Sequence, residues 1–366
     1  MPGHFKDLIE KSNESYDDRI SCVIAGILVV WAFEVAKKMG ITSAAFRPAG
    51  PATLALTLRI PKLIEDGIIN SQGTPIKNDL IWLSKEIPAW KSSEFPWSFP
   101  GKSRMQNIFF QYAFRMNHSV KLCYWLLCNS FYELDSLALN LVPRIIPVGP
   151  LHSGNQLGCQ IGSFWPDDST CLSWLDKQPV GSVICVSFGS TSIFNQQQFD
   201  ELALGLELIG LPCLWVIRSN ITTEALSKFL DGIRRRIVDH GKIVDWAPQE
   251  EVLAHPSTTC FISHCGWNST LEDISMGVPL LCWPYFTNQF QNKSYICGVW
   301  KVGLGLNSDE NGIVTRHEIN TKIKTLLSDD VIKTKALKLK EMAKKSVSEG
   351  GSSFKNFESF IEQIKH

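Results

Sequence analysis

The sequence lacks an excess of charge of either sign, since 36 Lys and Arg residues balance 36 Asp and Glu residues over 366 positions. A protein that binds nucleic acid through its phosphates needs a surplus of cations, so the balance excludes a general nucleic-acid binder. It also gives no support to a polybasic contact with a membrane. With 44% hydrophobic and 20% charged residues, the chain is neither disordered nor low in complexity. We therefore expect a globular protein that binds a small molecule.

Several motifs are also missing. The eleven cysteines contain no C-x-x-C pair, and an odd number in a long chain predicts reduced thiols in the cytoplasm. No cationic segment followed by an apolar one opens the chain, and the apolar stretch 26–35 is interrupted by Glu34. We expect no integral membrane segment. The absence of G-x-S-x-G argues against a serine hydrolase.

The length predicts two domains, and the apolar runs predict an α/β protein. About four strand candidates occupy the first half and about six the second, where helical patterns alternate with them, as in a doubly wound parallel sheet. Gly149-Pro150 and the polar residues that follow resemble a linker. We predict a partial N-terminal domain at 1–150, a linker at 151–163 and a C-terminal domain at 164–345. A last amphipathic helix, at 346–366, is expected to pack on the N-terminal domain.

Two predicted strands end in polar, glycine-containing segments. One leads into Gly189-Ser190, and the other leads through His264 to Ser269-Thr-Leu-Glu272, which fits a capping box at the start of a helix. Ligands bind at the carboxyl ends of parallel strands, and a helix N-terminus with Gly266 beside it is able to hold a diphosphate. The alternative is an ordinary capped helix without a ligand.

A second alternative at this place is a zinc site. The cluster His255, Cys260, His264 and Cys265 contains suitable ligand types. His264 and Cys265 are adjacent at a strand end and point in different directions, and Cys260 falls within a buried strand. We therefore predict no metal here, and no cofactor elsewhere.

Residues 246–289 resemble, almost position for position, the signature box of plant UDP-dependent glycosyltransferases. The shared features are Trp-Ala-Pro-Gln at 246–249, His-Cys-Gly-Trp-Asn-Ser at 264–269 and a terminal Gln289. Further matches are Val-Ser-Phe-Gly-Ser at 186–190, Trp-Leu-Asp at 174–176 and Cys-Asn-Ser-Phe-Tyr-Glu-Leu at 128–134. The resemblance implies the GT-B fold, with two facing Rossmann-like domains, of which the N-terminal one is incomplete here.

The resemblance also assigns roles in binding the sugar nucleotide. Trp246 is expected to stack on the uracil, whose edge the backbone of Ala247 contacts. Gln249 and Glu272 are expected at the ribose. The expected diphosphate ligands are Ser190, His264, Asn268 and Ser269; the expected sugar ligands are Trp267, Asn288 and Gln289; and the expected acceptor-side residues are Thr287 and Trp90.

The catalytic residues of the family are expected to be absent. Its general base is a histidine after the first strand of the N-terminal domain, which this chain starts too late to contain. The aspartate that orients this base corresponds to Gly26, which has no side chain to do so. A general base contributes about 10²–10⁴-fold to rate. Asn288 is a further departure, because the family usually has Asp there and an amide binds a sugar hydroxyl without charge assistance.

The resemblance implies an inverting, metal-independent transfer of glucose from UDP-glucose to a hydroxyl of a small apolar plant metabolite, because a terminal Gln accompanies glucose donors in the family. We expect a cytoplasmic monomer whose partners are the UDP-sugar and a small-molecule acceptor. Two alternatives remain. The chain is a catalytically impaired protein that binds a UDP-sugar or a protein partner, or it is an incomplete version of an active enzyme.

Overall fold

The computed structural model describes residues 1–14, 19–77, 80–99, 101–151, 168, 170–189, 195–217 and 241–365. These residues form two compact units. The first comprises the described residues within 1–151, 286–291 and 342–366, and the second those within 152–285 and 292–341. The predicted linker 151–163 lies, apart from Leu151, outside the described residues.

A parallel sheet of four strands, in the order β1-β2-β5-β6, forms the centre of the first unit. Strands β3 and β4 pair separately as an antiparallel ribbon. The elements before residue 151 are α1 (Pro2–Ser12), β1 (Cys22–Gly26), α2 (Val30–Lys38), β2 (Thr42–Arg47), α3 (Pro51–Leu58), α4 (Ile60–Glu65), β3 (Leu80–Ile81), β4 (Trp90–Lys91), α5 (Ser103–Leu122), β5 (Trp125–Cys128), α6 (Tyr132–Leu139) and β6 (Ile145–Pro147). A short 3₁₀ turn at Ser92–Glu94 follows β4.

The last helix of the chain packs on this first sheet. The fully buried ring of Phe360 meets Trp125 of β5 edge to face, with ring centroids 5.4 Å apart. Nε1 of Trp125 donates to Oε1 of Gln363 at 3.0 Å, and Nδ2 of Asn356 donates to the carbonyl of Pro147 at 2.8 Å. The helix therefore buries the side of it that carries Phe360 against this sheet.

The second unit contains a parallel sheet of six strands, in the order β12-β11-β10-β7-β8-β9. This number of strands agrees with the sequence prediction of about six for the second half. The remaining elements are α7 (Thr170–Leu175), β7 (Val183–Ser187), α8 (Gln196–Ile209), β8 (Cys213–Val216), β9 (Gly241–Val244), α9 (Gln249–Ala254), β10 (Thr258–Ser263), α10 (Trp267–Met276), β11 (Leu280–Cys282), α11 (Gln289–Ser294), a π-helix (Tyr295–Trp300), β12 (Gly303–Gly305), α12 (Arg316–Ser328), α13 (Asp330–Val347) and α14 (Ser352–Ile364).

Local signals explain where helices of the second unit begin and end. Asn195 caps α8 by accepting from the backbone N of Gln198 at 2.8 Å, and Gly210 ends the helix in the left-handed conformation at φ +68°. The carboxylate of Glu201 on α8 bridges the side chain of Arg316 at the start of α12 and also accepts from its backbone N–H. These contacts fix two helices against the face of the sheet that carries the larger core cluster.

The tryptophan-rich segment between α4 and α5 is tightly packed. Trp90 is 1% exposed and Trp97 is fully buried, and the ring of Trp97 contacts Phe95 and Phe110. Trp82 is 58% exposed. The expected acceptor-side role of Trp90 is therefore wrong for this structure, because a ring that has almost no accessible surface meets no acceptor. It packs the ribbon formed by β3 and β4 instead.

None of the helices in the described part of the chain combines the length and apolarity needed to cross a membrane.

Candidate functional site

The site is built at the carboxyl edge of the second sheet. Strands β7 and β10 are parallel neighbours, with Ser187 paired to Ser263, so the segments that follow them emerge side by side. Gly189 follows β7, and His264 follows β10 directly. The sequence places its polar strand ends here because the carboxyl ends of parallel strands share one edge of the sheet.

The imidazole of His264 lies against two glycines. A Cβ added to Gly189 would come within 2.8 Å of its Nε2, and one added to Gly266 would come within 2.3 Å. Gly189 also has a φ of +67°, which other residues rarely adopt. Both positions therefore require glycine, and the two glycines leave room for the ring between the strand ends.

His264 is a neutral imidazole at physiological pH. Burial lowers its pKa to about 4, and a backbone hydrogen bond with Ser187 opposes that shift only in part. A neutral ring carries one N–H donor and brings no positive charge of its own.

Helix α10 begins beside this ring, but at a different residue from the one expected. Gly266 is its N-cap, with φ −62° and ψ 145°, and no side chain caps the first turn. The predicted capping box of Ser269 and Glu272 is wrong, because the helix starts three residues earlier and both residues lie inside it. The amide groups of Asn268 and Ser269, in the first turn of α10, consequently have no partner from within the helix, and this turn carries the positive end of the helix dipole.

Gln249, Ser269 and Glu272 form a hydrogen-bonded group. The side-chain amide of Gln249, the first residue of α9, donates to Oγ of Ser269 at 3.0 Å and to a carboxylate oxygen of Glu272. The sequence places all three residues near the sugar nucleotide but gives no sign of these bonds, since 20 and 23 positions separate the partners. The group links α9 to α10 and fixes the position of the Glu272 carboxylate.

A small pocket of about 10 Å³, with room for about one water molecule, lies between the ends of β7 and β8 and helix α9. Ala247 and Gln249 line it together with apolar residues of the strands. Trp246 is half-buried next to it, and its carbonyl accepts from the backbone N of Asp168 at 3.2 Å. The pocket therefore has apolar walls and a polar rim.

The remaining residues of the box on α10 differ in exposure. The side chain of Trp267 is buried and its ring lies 6.4 Å from that of Trp300, whereas Asn268 is exposed. Trp267 therefore anchors the first turn of α10, while Asn268 presents its amide to solvent.

Residues Thr287, Asn288 and Gln289 lie in a segment, 286–291, that belongs to the first unit. Thr287 has a left-handed backbone at φ +53°, and its hydroxyl donates to Oδ1 of Asn288 at 3.2 Å. Oε1 of the buried Gln289 accepts from the backbone N of Phe286 at 2.9 Å. These bonds fix the turn that leads into α11. The other described donor-site residues lie in the second unit.

Some sequence-derived residues are not part of this arrangement. Ser190 lies outside the described residues. Gly26 ends β1 and is exposed, and a Cβ there would meet only Val29, at 3.9 Å. His255 contacts Ser257 and Asp176. Across the described residues, no three His, Cys, Asp or Glu side chains are arranged to hold a metal ion.

Two buried polar residues of the site region gave no signal in the sequence. Nδ2 of Asn292 on α11 donates to the carbonyl of Cys265 at 2.8 Å, which braces the turn between His264 and Gly266. Asp273 is fully buried on α10, and neither of its carboxyl oxygens has a hydrogen-bond partner within the described ranges. Burial raises its pKa well above the usual value, with Cys265 and Glu272 adding to the shift.

Comparison with curated proteins identifies relatives along the whole chain. UDP-glycosyltransferase 83A1 from Arabidopsis thaliana is 43% identical over 371 residues, which cover 100% of this chain and 78% of that protein. A 7-deoxyloganetic acid glucosyltransferase from Catharanthus roseus is 32% identical, with 94% of this chain and 74% of that protein covered.

Solved structures of plant enzymes share the fold. A UDP-glucosyltransferase from Polygonum tinctorium capable of glucosylating indoxyl matches with a TM-score of 0.85 and 29% identity, covering 100% of this chain and 80% of that one. UGT2 from Phytolacca americana, solved with UDP-2-fluoro-glucose and pterostilbene, matches with a TM-score of 0.83 and 28% identity, covering 100% and 79%.

The family model described as UDP-glucoronosyl and UDP-glucosyl transferase matches residues 161–348. This match contains every described part of the site in the second unit, together with the turn at 286–291. The predicted fold class, α/β of the GT-B type, is confirmed by the solved relatives. The chain belongs to the plant UDP-glycosyltransferase family.

Proposed function

We propose that this protein transfers glucose from UDP-glucose to a hydroxyl group of a small apolar plant metabolite, with inversion at the anomeric carbon and without a metal ion. Glucosyltransferases among its relatives support glucose as the sugar. One solved relative glucosylates indoxyl and another binds pterostilbene, and both observations support an apolar acceptor with a hydroxyl group.

The observation that carries the proposal is the neutral His264 at the start of α10. Its ring, held between Gly189 and Gly266, lies beside amide groups that have no partner within the helix. Such an arrangement suits a diphosphate, which accepts hydrogen bonds from helix-terminal N–H groups, and from the single imidazole N–H when that group turns from the Ser187 backbone to the ligand. These donors would stabilise the negative charge that UDP gains as it leaves.

The segment 246–249, which follows β9, is proposed to hold the nucleoside. Trp246 offers a flat ring for the uracil, and the backbone of Ala247 offers polar groups for its edge. Glu272, held by Gln249, has carboxylate oxygens that would accept from the ribose hydroxyls. Gln289 and Asn288 are proposed ligands of the sugar, and Thr287 is proposed on the acceptor side.

In the proposed reaction, the acceptor oxygen attacks the anomeric carbon from the face opposite to UDP. The new C–O bond forms as the bond from that carbon to the β-phosphate oxygen breaks, and its electron pair leaves with UDP. The hydroxyl proton passes to a base. His264 itself is poorly suited to accept it, because its pKa of about 4 makes it a weak base. The donor residues therefore act by positioning the sugar and by stabilising the leaving group.

A second function, binding of a UDP-sugar without turnover, is favoured by Gly26. The family's orienting aspartate has no counterpart there, and the exposed end of β1 offers no carboxylate in its place. Binding of UDP would then be retained while transfer is lost.

Two assays separate these proposals. The purified chain is mixed with UDP-glucose and a panel of phenols and terpenoid alcohols, and glucosides are measured by mass spectrometry with and without EDTA. Transfer above a no-protein control, unaffected by EDTA and reduced by His264→Ala, supports the first function. Saturable UDP binding by calorimetry with no glucoside for any acceptor supports the second. A chain that forms no glucoside and binds no UDP would contradict both proposals.

We also propose that the protein is a cytoplasmic monomer. Sedimentation of the purified chain tests the oligomeric state, and a dimer at micromolar concentration would contradict it.

A further inference from the structure

Three cysteines meet at the carboxyl edge of the second sheet. Cys282 is the last residue of β11, Cys265 follows β10 by two residues, and Cys297 lies in the π-helix before β12. Strands β10 and β11 are neighbours in which Ser263 pairs with Cys282. The thiol of Cys282 is within hydrogen-bonding distance of the thiols of both Cys265 and Cys297. The three sulfur atoms therefore form one cluster, with Cys282 in the middle.

The members of the cluster have different environments. Cys265 and Cys282 are completely buried, whereas Cys297 is half-buried next to the exposed Gly298. A Cβ added to Gly298 would meet no heavy atom within 4 Å outside its chain neighbours and the backbone of its own helix. A small reagent from solvent therefore reaches Cys297 first. A π-helix is rare and often marks a functional position, which fits an accessible thiol here.

Two lysines favour the ionised form of Cys297. Lys293 lies one turn earlier in the chain, where Nζ donates to the carbonyl of Leu306 at 3.3 Å and the side chain crosses Gly305. A hydrogen bond from Cys282 lowers the pKa of Cys297, burial opposes this, and Lys293 and Lys322 lower it further. Burial raises the pKa of Cys282. Cys297 is thus the nucleophilic thiol, and Cys282 is its protonated neighbour.

The cluster is connected to the turn that carries His264. Cys265 separates His264 from Gly266 and has a left-handed backbone at φ +62°. Its carbonyl accepts from Asn292, which lies five positions before Cys297 on the adjoining helix. A shift of Cys282 therefore reaches this turn through the side chain of Cys265, and a shift of Cys297 reaches it through the helix that carries Asn292.

We propose that Cys297 and Cys282 are a peroxide-sensitive thiol pair whose oxidation to a disulfide weakens binding at the adjacent anion site. In the first step, the Cys297 thiolate attacks one oxygen of hydrogen peroxide, the O–O bond breaks, and a sulfenic acid forms with release of hydroxide. In the second step, the sulfur of Cys282 attacks the sulfur of Cys297, the S–O bond breaks, and water leaves with the Cys282 proton. Two thiols lose two electrons to one peroxide, which becomes two waters.

The effect on binding follows from the geometry of the bond. An S–S bond is about 2.05 Å long, shorter than any contact between two thiols, so the sulfur atoms of Cys282 and Cys297 must approach each other, and a shift of Cys282 alters its contact with Cys265. This part of the inference rests on the proposed function, because it concerns the affinity for UDP. The formation of the disulfide does not.

The test treats the reduced, purified chain with hydrogen peroxide, blocks the remaining thiols and maps linked tryptic peptides by mass spectrometry. The wild-type chain is expected to yield a 282–297 link. Cys297→Ser is expected to yield none, and Cys282→Ser is expected to accumulate a sulfenic acid at Cys297 that dimedone captures. Cys213→Ser is the control, since Cys213 is buried in β8 and burial raises its pKa to about 12. It should form the link as the wild type does.

Absence of the link in folded wild-type chain, or oxidation of Cys213 as fast as Cys297, would overturn the thiol pair. Calorimetry with UDP then compares the reduced and oxidised chain, and at least a five-fold loss of affinity on oxidation is expected. An unchanged affinity in the linked protein would overturn the coupling. A reduced chain that fails to bind UDP would refute the proposed function, while the peptide map would still decide the thiol pair.

Discussion

At the scale of single residues, the acid–base state of His264 follows from its position between two glycines at a crowded strand end. The ring loses solvent there, and no carboxylate among the residues that the structure describes favours its charged form. The folded protein therefore keeps a neutral imidazole under conditions in which the unfolded chain would hold a proton.

The pH dependence of stability is the first prediction. The pKa of His264 is about 4 when folded and about 6.5 when unfolded, so the unfolded state binds more protons between these values. The stabilising contribution is complete above pH 6.5 and is lost as pH falls towards 4, by about 3 kcal/mol in total. Chemical unfolding at a series of pH values measures it. His264→Gln should flatten the profile in this window while the surface variant His118→Gln keeps it; an identical profile for His264→Gln would contradict the prediction.

Asp273 should have the opposite effect. Because burial raises its pKa, the folded state keeps a proton that the unfolded state releases above its ordinary pKa, and stability falls as pH rises. Asp273→Asn removes this titration without changing the shape of the side chain. The variant should be more stable than the wild type at pH 7, and the difference should shrink towards pH 4. If Asp273→Asn were less stable than the wild type at pH 7, the buried carboxyl group would have to make favourable interactions that the amide cannot replace.

At the scale of elements, the start of α10 is the proposed diphosphate site. Gly266→Ala adds a methyl group 2.3 Å from Nε2 of His264 and also places a weak N-cap residue at the helix start. We expect it to lose about ten-fold in UDP affinity, since a hydrogen bond to a charged group contributes about 1.5–3 kcal/mol. Calorimetry measures the affinity. Gly298→Ala, whose new methyl group meets nothing within 4 Å beyond its chain neighbours, is the matched control and should bind as the wild type does.

Helix α14 offers a matched pair of variants for the first unit. Phe360 is 1% exposed and packs on Trp125, whereas Phe357, on the same helix, is 48% exposed. Phe360→Ala should cost about 3–5 kcal/mol because it leaves a cavity in the core. Phe357→Ala should cost less than about 1 kcal/mol. Equal losses in the free energy of unfolding for the two variants, measured in denaturant, would mean that the contact of Phe360 with Trp125 does not stabilise the fold.

The elements that the sequence predicts well are those with continuous apolar runs. Strands such as β1, β5 and β7 are short apolar segments bounded by polar or glycine residues, and their positions agree with the structure. The start of α10 was missed because Ser269 and Glu272 have the spacing of a capping box, while the residue that ends the extended segment is Gly266. The π-helix was missed because no residue pattern distinguishes it from an α-helix.

The site shows the same division. The resemblance brought together residues of the second unit that the structure also brings together around the ends of β7 and β10. Contacts between residues distant in sequence, such as Gln249 with Glu272 and Asn292 with Cys265, could not be read, because spacing alone carries no information about them. The sequence also does not show whether Trp90 is buried or exposed, because its burial depends on contacts with residues distant in sequence.

At the scale of the whole molecule, the described residues form two units with separate hydrophobic clusters. A ligand that binds only the folded state stabilises it by mass action, by about 2.7 kcal/mol at one hundred times its dissociation constant. The donor site residues described in the second unit therefore predict that UDP protects that unit first. Hydrogen exchange should slow in β7, β10 and α10 when UDP is added, and protection confined to strands β1 to β6 would contradict the assignment.

Titration of the purified, reduced chain with UDP in a calorimeter tests the donor site most directly. If His264 and the start of α10 form a diphosphate site, one UDP binds per chain with saturable heat, EDTA leaves the affinity unchanged, and His264→Ala weakens it about ten-fold or more while His118→Ala does not. A folded chain that gives no saturable heat with UDP, or whose affinity is unaffected by His264→Ala, would contradict it.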